Sequence, residues 1–247
     1  MLEFLPLASS SSGCAYRLSG GGATAPILID AGIRFELIQQ GLDFQIATLG
    51  GCLISHAHGD HVKAVKKLMD AAVDCYASEE TWDQLTKSIG SHHRMRTCKE
   101  LKEFEVRGGW KILPFDAVHD MPGTLGFVIG SPDGFKALYL TDSAYSRYKF
   151  DGLTHIYIEC NFSQELLRDN VEKGKVHAER FARTQRTHMS LERLIQMLKA
   201  NDLSKVEEIH LLHLSSVNSD ELGFKKAIER ATGCPVYVAE EFSRSAF

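Results

Sequence analysis

The feature that most constrains this chain is a hexapeptide at residues 56–61, with the sequence HAHGDH. It comes directly after a predicted buried strand. Residues two apart on an extended segment point to the same side, so His56 and His58 can bind one ion. Asp60 and His61 begin a predicted helix and can face a neighbouring ion. Three imidazoles and a carboxylate at this spacing indicate a metal site rather than a polar turn with unrelated surface histidines.

Further ligands are expected at the ends of other predicted strands, because a metal needs more ligands than this loop supplies. His119, Asp142 and His213 each lie at or just past the end of an apolar run. Scaffolds of the α/β class gather their site residues at such strand ends. Each of the three could alone be a satisfied core or loop residue. The chain nevertheless has 11 histidines among 247 residues, and histidine is the commonest ligand of transition metals.

The order of predicted elements indicates an α/β fold. Helical spacing of apolar residues extends over 62–72, a helix is predicted after Ser190, and another from Asp220 to near Gly233. No repeat or proline-rich linker interrupts the chain, so a single domain over 1–247 is expected, with two sheets flanked by helices. Runs typical of strands occupy 26–30, 52–55, 110–115, 125–129, 137–141, 156–159, 209–212 and 235–239.

Composition excludes several classes of protein. A formal charge of −4, with 44% apolar and 24% charged residues, is unlike a disordered tail or a disulfide-dense mini-protein. No apolar run approaches the ~18 residues that span a bilayer. The N-terminal segment lacks basic residues and contains Glu3 and Pro6, unlike a signal peptide. Six scattered cysteines without a C-x-x-C pair complete the expectation of a cytoplasmic protein with reduced thiols and no membrane contact.

The H-x-H-x-D-H motif, a later histidine, a Thr-Asp pair and a last histidine together resemble the metallo-β-lactamase superfamily. The resemblance covers nearly the whole chain and is strongest to the YycJ (WalJ) type exonucleases. It implies an αββα sandwich of two mixed β-sheets flanked by helices. The other motifs that carry it are Leu7-Ala8-Ser9-Ser10-Ser11-Ser12-Gly13-Cys14, Ile29-Asp30-Ala31-Gly32, His119-Asp120, Ile158-Glu159-Cys160-Asn161, Thr187-His188-Met189-Ser190 and Leu212-His213-Leu214-Ser215.

The same resemblance implies a site for two divalent ions. Imidazole and carboxylate ligands without a thiolate suit Zn²⁺ and also admit Mn²⁺. Two such ions would turn a bridging water into hydroxide at neutral pH and clamp the oxygens of the attacked group. By this resemblance the first ion is held by His56, His58 and His119 and the second by Asp60, His61 and His213, with Asp142 bridging the two.

Hydrolysis also needs a proton for the leaving oxygen, and His188 is the predicted donor. It directly precedes a predicted helix and is not needed as a ligand. Glu159 ends a predicted strand and could orient His188 and raise its pKa, as a carboxylate beside an imidazole does. RNase Z, which the sequence resembles more distantly, is expected to use such a pair at matching positions. The alternative is a surface histidine and an unrelated strand-end glutamate.

A basic stretch over 168–193 favours a phosphate-containing substrate. It has seven Lys and Arg against four Asp and Glu and surrounds His188. Arginine binds phosphate through its planar fork of donors, although a solvated helix face is an equally good interpretation. The serine-rich turn near the N-terminus could offer hydroxyl and N–H groups to a phosphate, or could be a plain turn. The predicted substrate-binding residues are Ser11, Ser12, Asn161, Arg180, Arg183 and Arg186.

These observations predict a metal-dependent phosphodiesterase that hydrolyses nucleic acid. A DNA exonuclease is favoured, in which metal-bridged hydroxide attacks phosphorus and His188 protonates the leaving group. Asp60 is also predicted to be catalytic, because hydrolysis needs its carboxylate and the packing of the fold does not. A phosphodiesterase of cyclic nucleotides and a thioester or lactam hydrolase stay open as alternatives. A non-catalytic binding protein and a homodimer also stay open.

Overall fold

The computed structural model describes residues 1–239. This part of the chain divides into two compact units, one formed chiefly by Met1–Asp116 and Met121–Phe135, the other by Ala117–Asp120 and Lys136–Val238. The strands found within it form two mixed sheets, of six and seven strands. The two sheets and their flanking helices confirm the predicted α/β class.

The first unit is built mainly of short strands. Its six-stranded sheet has the order β1-β2-β3-β4-β5-β6, antiparallel from β1 to β3 and parallel from β3 to β6. The strands β7, β8 and β9 form an antiparallel group. Its elements in chain order are β1 (Leu2–Ser10), β2 (Gly13–Gly20), β3 (Ile27–Ile29), α1 (Phe35–Gly41), β4 (Gly51–Leu53), α2 (Gly59–Val62), α3 (Val65–Asp70), β5 (Cys75–Ala77), α4 (Glu79–Ile89), β6 (Met95–Thr97), β7 (Phe104–Val106), β8 (Trp110–Asp116) and β9 (Leu125–Gly130).

 The parallel strands β3 and β4 position the start of the hexapeptide, and Ile29 of β3 pairs with Leu53 of β4. The carboxyl ends of two parallel strands meet at one edge of their sheet. Asp30 follows β3 directly, and the chain continues from β4 through two buried residues into His56. The strand order therefore brings an aspartate beside the start of the predicted ligand loop.

The core of the first unit holds these strands in place. It packs Leu28 of β3 and the buried Ile54 against apolar side chains of three helices, Ile38 of α1, Leu68 of α3 and Trp82 of α4. Burial of side chains of this size contributes about 1.5–3 kcal/mol each. The ligand loop thus leaves from a well-packed layer rather than from a mobile surface strand.

The helix predicted over 62–72 is interrupted in the structure. It forms two short helices, α2 and α3, because the N–H of Ala64 donates to the carbonyl of Ala31 instead of continuing the helical ladder. Ala72 has a left-handed φ of 68° and lies beyond the end of α3. The break separates the turn that carries Asp60 from the helix that packs on the sheet.

The second unit is built of parallel strands alternating with helices. Its strands form an uninterrupted parallel group in the order β10, β11, β12, β13. The central strand β11 is buried along its whole length, as expected for a parallel sheet. Its elements in chain order are β10 (Lys136–Leu140), β11 (His155–Glu159), α5 (Gln164–Glu172), α6 (Ala178–Thr187), α7 (Leu191–Lys199), β12 (Glu208–Leu212), α8 (Glu221–Thr232) and β13 (Val236–Val238).

The helix boundaries predicted in this unit are confirmed. The hydroxyl of Ser190 caps α7 by accepting from the N–H of Arg193, and the carboxylate of Asp220 caps α8 by accepting from the N–H of Gly223. Gly233 ends α8 with a left-handed φ of 74°, which glycine adopts without steric cost. These caps satisfy backbone groups that a helix end leaves without intrahelical partners.

In residues 1–239, every helix is too short or too polar to cross a membrane. The single domain expected over 1–247 stays a prediction.

Candidate metal centre

The first group of predicted ligands lies at the edge of the six-stranded sheet. His56 is fully buried, and its Nε2 lies 2.9 Å from Nδ1 of His58. These two ring nitrogens lie within hydrogen-bonding distance of each other. The structure therefore brings together the two imidazoles that the hexapeptide spacing predicts on one side of the chain.

A buried aspartate orients the imidazoles of this group. One carboxylate oxygen of Asp30 accepts from the backbone N–H of Ser55 at 2.8 Å, and the other accepts from the Ser55 hydroxyl at 3.0 Å and from Nδ1 of His61 at 2.8 Å. Because a carboxylate only accepts, Nδ1 of His61 carries the proton and Nε2 is left to bind a metal. Asp30 lies in one of the motifs that carry the family resemblance, but the sequence alone predicts no role for it.

Ser55 extends this control to His56. Its single hydroxyl proton is donated to Asp30, so the same oxygen accepts from Nδ1 of His56 at 3.0 Å. That contact protonates His56 at Nδ1 and leaves its Nε2 unprotonated, the state in which an imidazole nitrogen can bind a metal. The sequence signal for Asp30 and Ser55 was their position at the ends of adjacent strands, which becomes informative only once β3 and β4 are known to be neighbours.

Asp60 lies in the first turn of α2, where a negative charge favours the helix N-terminus. Its carboxylate approaches Nε2 of His61 to 3.8 Å and accepts no hydrogen bond from residues 1–239. About 28% of the side chain is exposed. A carboxylate with no structural donor beside a ligand nitrogen is suited to binding a cation.

Gly32 allows the chain after β3 to press against this ligand turn. A Cβ at Gly32 would lie 1.5 Å from the carbonyl oxygen of Asp60 and 2.7 Å from the backbone nitrogen of His61. The N–H of Ala31 donates to the carbonyl of His61 at 2.8 Å in the same contact. Glycine is therefore required here because the two backbones approach closely. This contact fixes the position of the turn that carries Asp60 and His61.

The second group of predicted site residues lies at the carboxyl ends of β10, β11 and β12. Glu159 is fully buried, and one of its oxygens accepts from Nδ1 of His188 at 2.7 Å and from Nδ1 of His213 at 2.8 Å. Its other oxygen accepts from the backbone N–H groups of Met189 and Ser143. The sequence predicted the contact with His188 and missed the contact with His213.

Asp142 completes this group. One of its oxygens lies 3.1 Å from Nδ1 of His188 and 3.3 Å from Nδ1 of His213. Ligand atoms of these residues and of Glu159 all lie within 4.8 Å of one another, with Asp142, Glu159 and His213 buried. Two carboxylates and two imidazoles in this volume form a set that is suited to binding metal ions.

The charges in this group shift several pKa values. Burial alone would lower the pKa of His188, but Glu159 and Asp142 outweigh it and raise the pKa to about 10. Burial likewise opposes protonation of His213, and the same two carboxylates raise its pKa. Burial would raise the pKa of Glu159, but His188 and the hydrogen bonds from both imidazoles lower it. Metal binding at His213 would have to displace a proton.

His119 lies beside this group. Its Nδ1 donates to the carbonyl of Thr187 at 3.0 Å, so the second ring nitrogen, Nε2, is unprotonated in the neutral imidazole. The ring centroids of His119 and His188 are 5.7 Å apart. Asp120, the next residue, has one oxygen 3.3 Å from His119 Nε2, and its other oxygen accepts from Arg183 at 2.7 Å.

The predicted substrate-binding residues divide into exposed and buried side chains. Ser11 and Ser12 are exposed in the turn between β1 and β2. Arg180, Arg183 and Arg186 are exposed on α6, at an i, i+3, i+6 spacing that places them along one side of the helix. Asn161 is buried, and its amide donates to the carbonyl of His213 at 2.8 Å. A substrate contact for these six residues stays a prediction.

Three site residues adopt a left-handed backbone. The φ angles are 57° for Asp30, 45° for Asp142 and 51° for His213. Each residue lies just past the end of a parallel strand, where the chain turns sharply away from the sheet. Such conformations cost about 1–3 kcal/mol for a residue other than glycine and cluster at functional sites.

Comparison with known proteins identifies the family. A family model described as Beta-lactamase superfamily domain matches residues 26–213. The chain belongs to this superfamily. The matched region includes both ligand groups, and membership confirms the resemblance on which the fold prediction depended. The chain is accordingly a metal-dependent hydrolase, with His and Asp clusters suited to metal ions.

Individual relatives of this superfamily member are distant in sequence. Exodeoxyribonuclease YycJ from Bacillus anthracis is 26% identical over 176 residues, which cover 68% of this chain and 66%, just under two thirds, of that protein. The metallo-β-lactamase fold protein YhfI from Bacillus subtilis has a TM-score of 0.73 at 14% identity, with 98% of both chains covered. Human tRNase Z, short form, has a TM-score of 0.59 at 15% identity, also with 98% coverage of both chains. The two structures confirm the αββα fold.

Proposed function

We propose that this chain is a cytoplasmic phosphodiesterase that hydrolyses nucleic acid, specifically a DNA exonuclease. The observation that carries the proposal is the hydrogen bond between Glu159 and His188, located beside Asp142. The leaving group of a phosphodiester is a poorly stabilised alkoxide, which needs a proton donor. The names of the YycJ exodeoxyribonuclease and of human tRNase Z support the same class of substrate.

The described ligands fit divalent ions. Asp30 and Ser55 hold the tautomers that leave Nε2 of His56 and His61 unprotonated. We propose two ions, Zn²⁺ or Mn²⁺, held by the seven ligands that the resemblance implies. Bound there, the ions would lower the pKa of water and neutralise charge on the attacked phosphate. The seven proposed ligands are His56, His58, Asp60, His61, His119, Asp142 and His213.

His188 supplies what the ions do not, a proton for the leaving oxygen. Glu159 holds Nδ1 of His188, so Nε2 is the atom that donates. The backbone N–H groups of Met189 and Ser143 fix the Glu159 carboxylate in turn. General acid catalysis of this kind contributes typically 10²–10⁴-fold to the rate.

A substrate panel tests the reaction class. Purified enzyme with Mn²⁺ or Zn²⁺ is expected to shorten end-labelled single-stranded and duplex DNA, with RNA and cyclic mononucleotides assayed beside them. Turnover of cyclic nucleotides without shortening of any chain would overturn the proposal in favour of a cyclic-nucleotide phosphodiesterase. Hydrolysis confined to thioesters or lactams would also overturn it.

Leaving-group dependence tests the proton donor. We expect His188→Ala to lower kcat by 10²–10⁴-fold on a substrate with an alkoxide leaving group and far less on a nitrophenyl ester. His177→Ala is the matched control, since His177 is exposed at the opposite end of α6. Equal losses on both substrates would show that His188 does not donate the proton.

A further inference from the structure

Tyr145 is an exposed aromatic residue three positions after Asp142. About 44% of it is exposed, and within the described part of the chain its ring stacks on no aromatic ring and its hydroxyl makes no hydrogen bond. Three residues span at most about 11 Å, so the tyrosine backbone lies close to the proposed metal ligand. An unpartnered aromatic ring at this place is available to a ligand.

The loop that carries Tyr145 is fixed rather than loose. The hydroxyl of Ser143 accepts from the N–H of Val118 at 2.9 Å and donates to the carbonyl of Tyr145 at 2.8 Å. The N–H of Ala144 donates to the carbonyl of Val118 at 2.9 Å. Because Val118 directly precedes His119, the loop is attached to a segment that carries a proposed ligand. The backbone at Tyr145 is therefore preorganised.

Arg193 joins this loop to the backbone of α6. Its guanidinium donates to the carbonyl of Gln185 at 2.8 Å and to that of Ala144 at 3.4 Å. Arg193 belongs to the basic stretch over 168–193, but its guanidinium is bound to these two carbonyls. Arg180 and Arg186 make no ion pair or hydrogen bond with residues 1–239 and remain available to phosphates.

A second exposed tyrosine in the same unit, Tyr237, can be compared with Tyr145. Tyr237 of β13 is 46% exposed, almost the same fraction as Tyr145. Its ring, however, stacks on His210 with centroids 5.2 Å apart, and Nζ of Lys225 lies 5.5 Å from its centroid. Tyr237 already uses its ring in contacts within the protein, whereas Tyr145 does not.

We propose that Tyr145 is a base-stacking residue, which binds an unpaired nucleobase at the end of a single-stranded nucleic acid. An aromatic ring stacks on any base, and arginines beside it bind the backbone, which is the usual construction of a sequence-tolerant single-strand site. The inference rests on the proposed function, since it names the form of nucleic acid that the site accepts. It assigns the phosphates next to that base to Arg180 and Arg186.

Binding without turnover tests the inference directly. Chelator-treated protein is titrated into single-stranded DNA that carries 2-aminopurine at one end, with each end labelled in a separate oligonucleotide. Stacking on Tyr145 is expected to change the fluorescence of the base, and Tyr145→Ala to abolish that change and weaken binding by about five- to a hundredfold. Tyr145→Phe keeps the ring and is expected to behave like the parent protein.

Tyr237→Ala is the matched control for loss of an exposed tyrosine, and it is expected to leave binding unchanged. In turnover assays with metal, Tyr145→Ala is expected to raise KM for single-stranded DNA with little effect on a small nitrophenyl phosphodiester. If Tyr145→Ala binds and quenches like the parent protein, the inference is wrong even when DNA is degraded. If no DNA is degraded by any variant, the proposed function fails, and the fluorescence titration still decides the role of Tyr145.

Discussion

The two ligand groups are built in opposite ways. In the first unit, His56, His58, Asp60 and His61 come from one short loop, and the buried carboxylate of Asp30 orients it from a neighbouring strand. In the second unit, the site residues come from separate segments, and the Glu159 carboxylate is shared by two imidazoles. Residues of one short loop are oriented by a single neighbouring carboxylate. Residues from separate segments are held together by hydrogen bonds to a carboxylate that they share.

The difference also separates two tasks. Asp30 accepts from His61, which is a proposed ligand, and from Ser55, which orients another. Glu159 accepts from one proposed ligand, His213, and from one proposed proton donor, His188. In the proposed mechanism, the first carboxylate therefore supports metal binding alone, and the second supports both metal binding and proton transfer.

Replacing each carboxylate by its amide should give the largest contrast. Glu159→Gln is expected to lower kcat at least about a hundredfold on a poor leaving group and to weaken metal binding about 10–100-fold, because both imidazoles lose the negative charge of their shared partner. Asp30→Asn is expected to weaken metal binding by a similar factor and to leave the leaving-group dependence of kcat unchanged. Competition with a chelator measures metal affinity. Comparing kcat on a substrate with an alkoxide leaving group and on a nitrophenyl ester measures the leaving-group dependence. A changed leaving-group dependence in Asp30→Asn would remove the contrast.

Gly32→Ala should damage the first group selectively. The new methyl would meet the carbonyl of Asp60, so the ligand turn must move, at a cost of about 3 kcal/mol in the free energy of unfolding. Gly59→Ala is the matched control, since a Cβ at Gly59 meets nothing within 4 Å. Urea unfolding measures the difference between the variants, and equal stabilities would show that the turn relaxes freely.

The stability of metal-free protein should fall as pH rises, because of the second group. His188 has a folded pKa of about 10 against an ordinary 6.5, so its contribution is complete below pH 6.5 and is lost as pH rises towards 10. The expected loss of unfolding free energy is on the order of 1 kcal/mol per pH unit in that range. Urea unfolding of chelator-treated protein measures the slope. His188→Gln should flatten it, and an unchanged slope would assign the effect elsewhere.

The smallest effect is expected for Asp120, an exposed carboxylate in the second unit. Asp120 pairs with Arg183, whose side chain is 58% exposed, and such surface pairs contribute about 0–1 kcal/mol. Asp120→Asn is therefore expected to change the melting temperature very little. A large drop in melting temperature would mean that Asp120 stabilises the fold through a further contact, such as the one with Nε2 of His119.

The sequence was most informative where the site residues are adjacent in the chain. Residues 56–61 carry their own spacing, so the convergence of His56 and His58 could be predicted without a fold. Prediction also succeeded at strand ends, because parallel strands bring Asp142 and His213 to one edge. The caps of α7 and α8 were equally readable from local residue types.

Contacts that depend on strand order could not be predicted in the same way. The support of Asp30 for His61 requires β3 to lie beside β4, and the second hydrogen bond of Glu159 requires β11 to lie beside β12. The carbonyl contacts of Arg193 depend on where a long flexible side chain ends. A basic residue in a sequence shows its charge and not its partners.

The left-handed backbone at three strand ends has an evolutionary consequence. Asp30, Asp142 and His213 are placed where glycine would be less strained, so stability and activity favour different residues at these positions. Selection for heat resistance alone would tend to replace them, and selection for hydrolysis would restore them. Variants of this enzyme that gain stability by losing strain should therefore arise at its site and should be inactive.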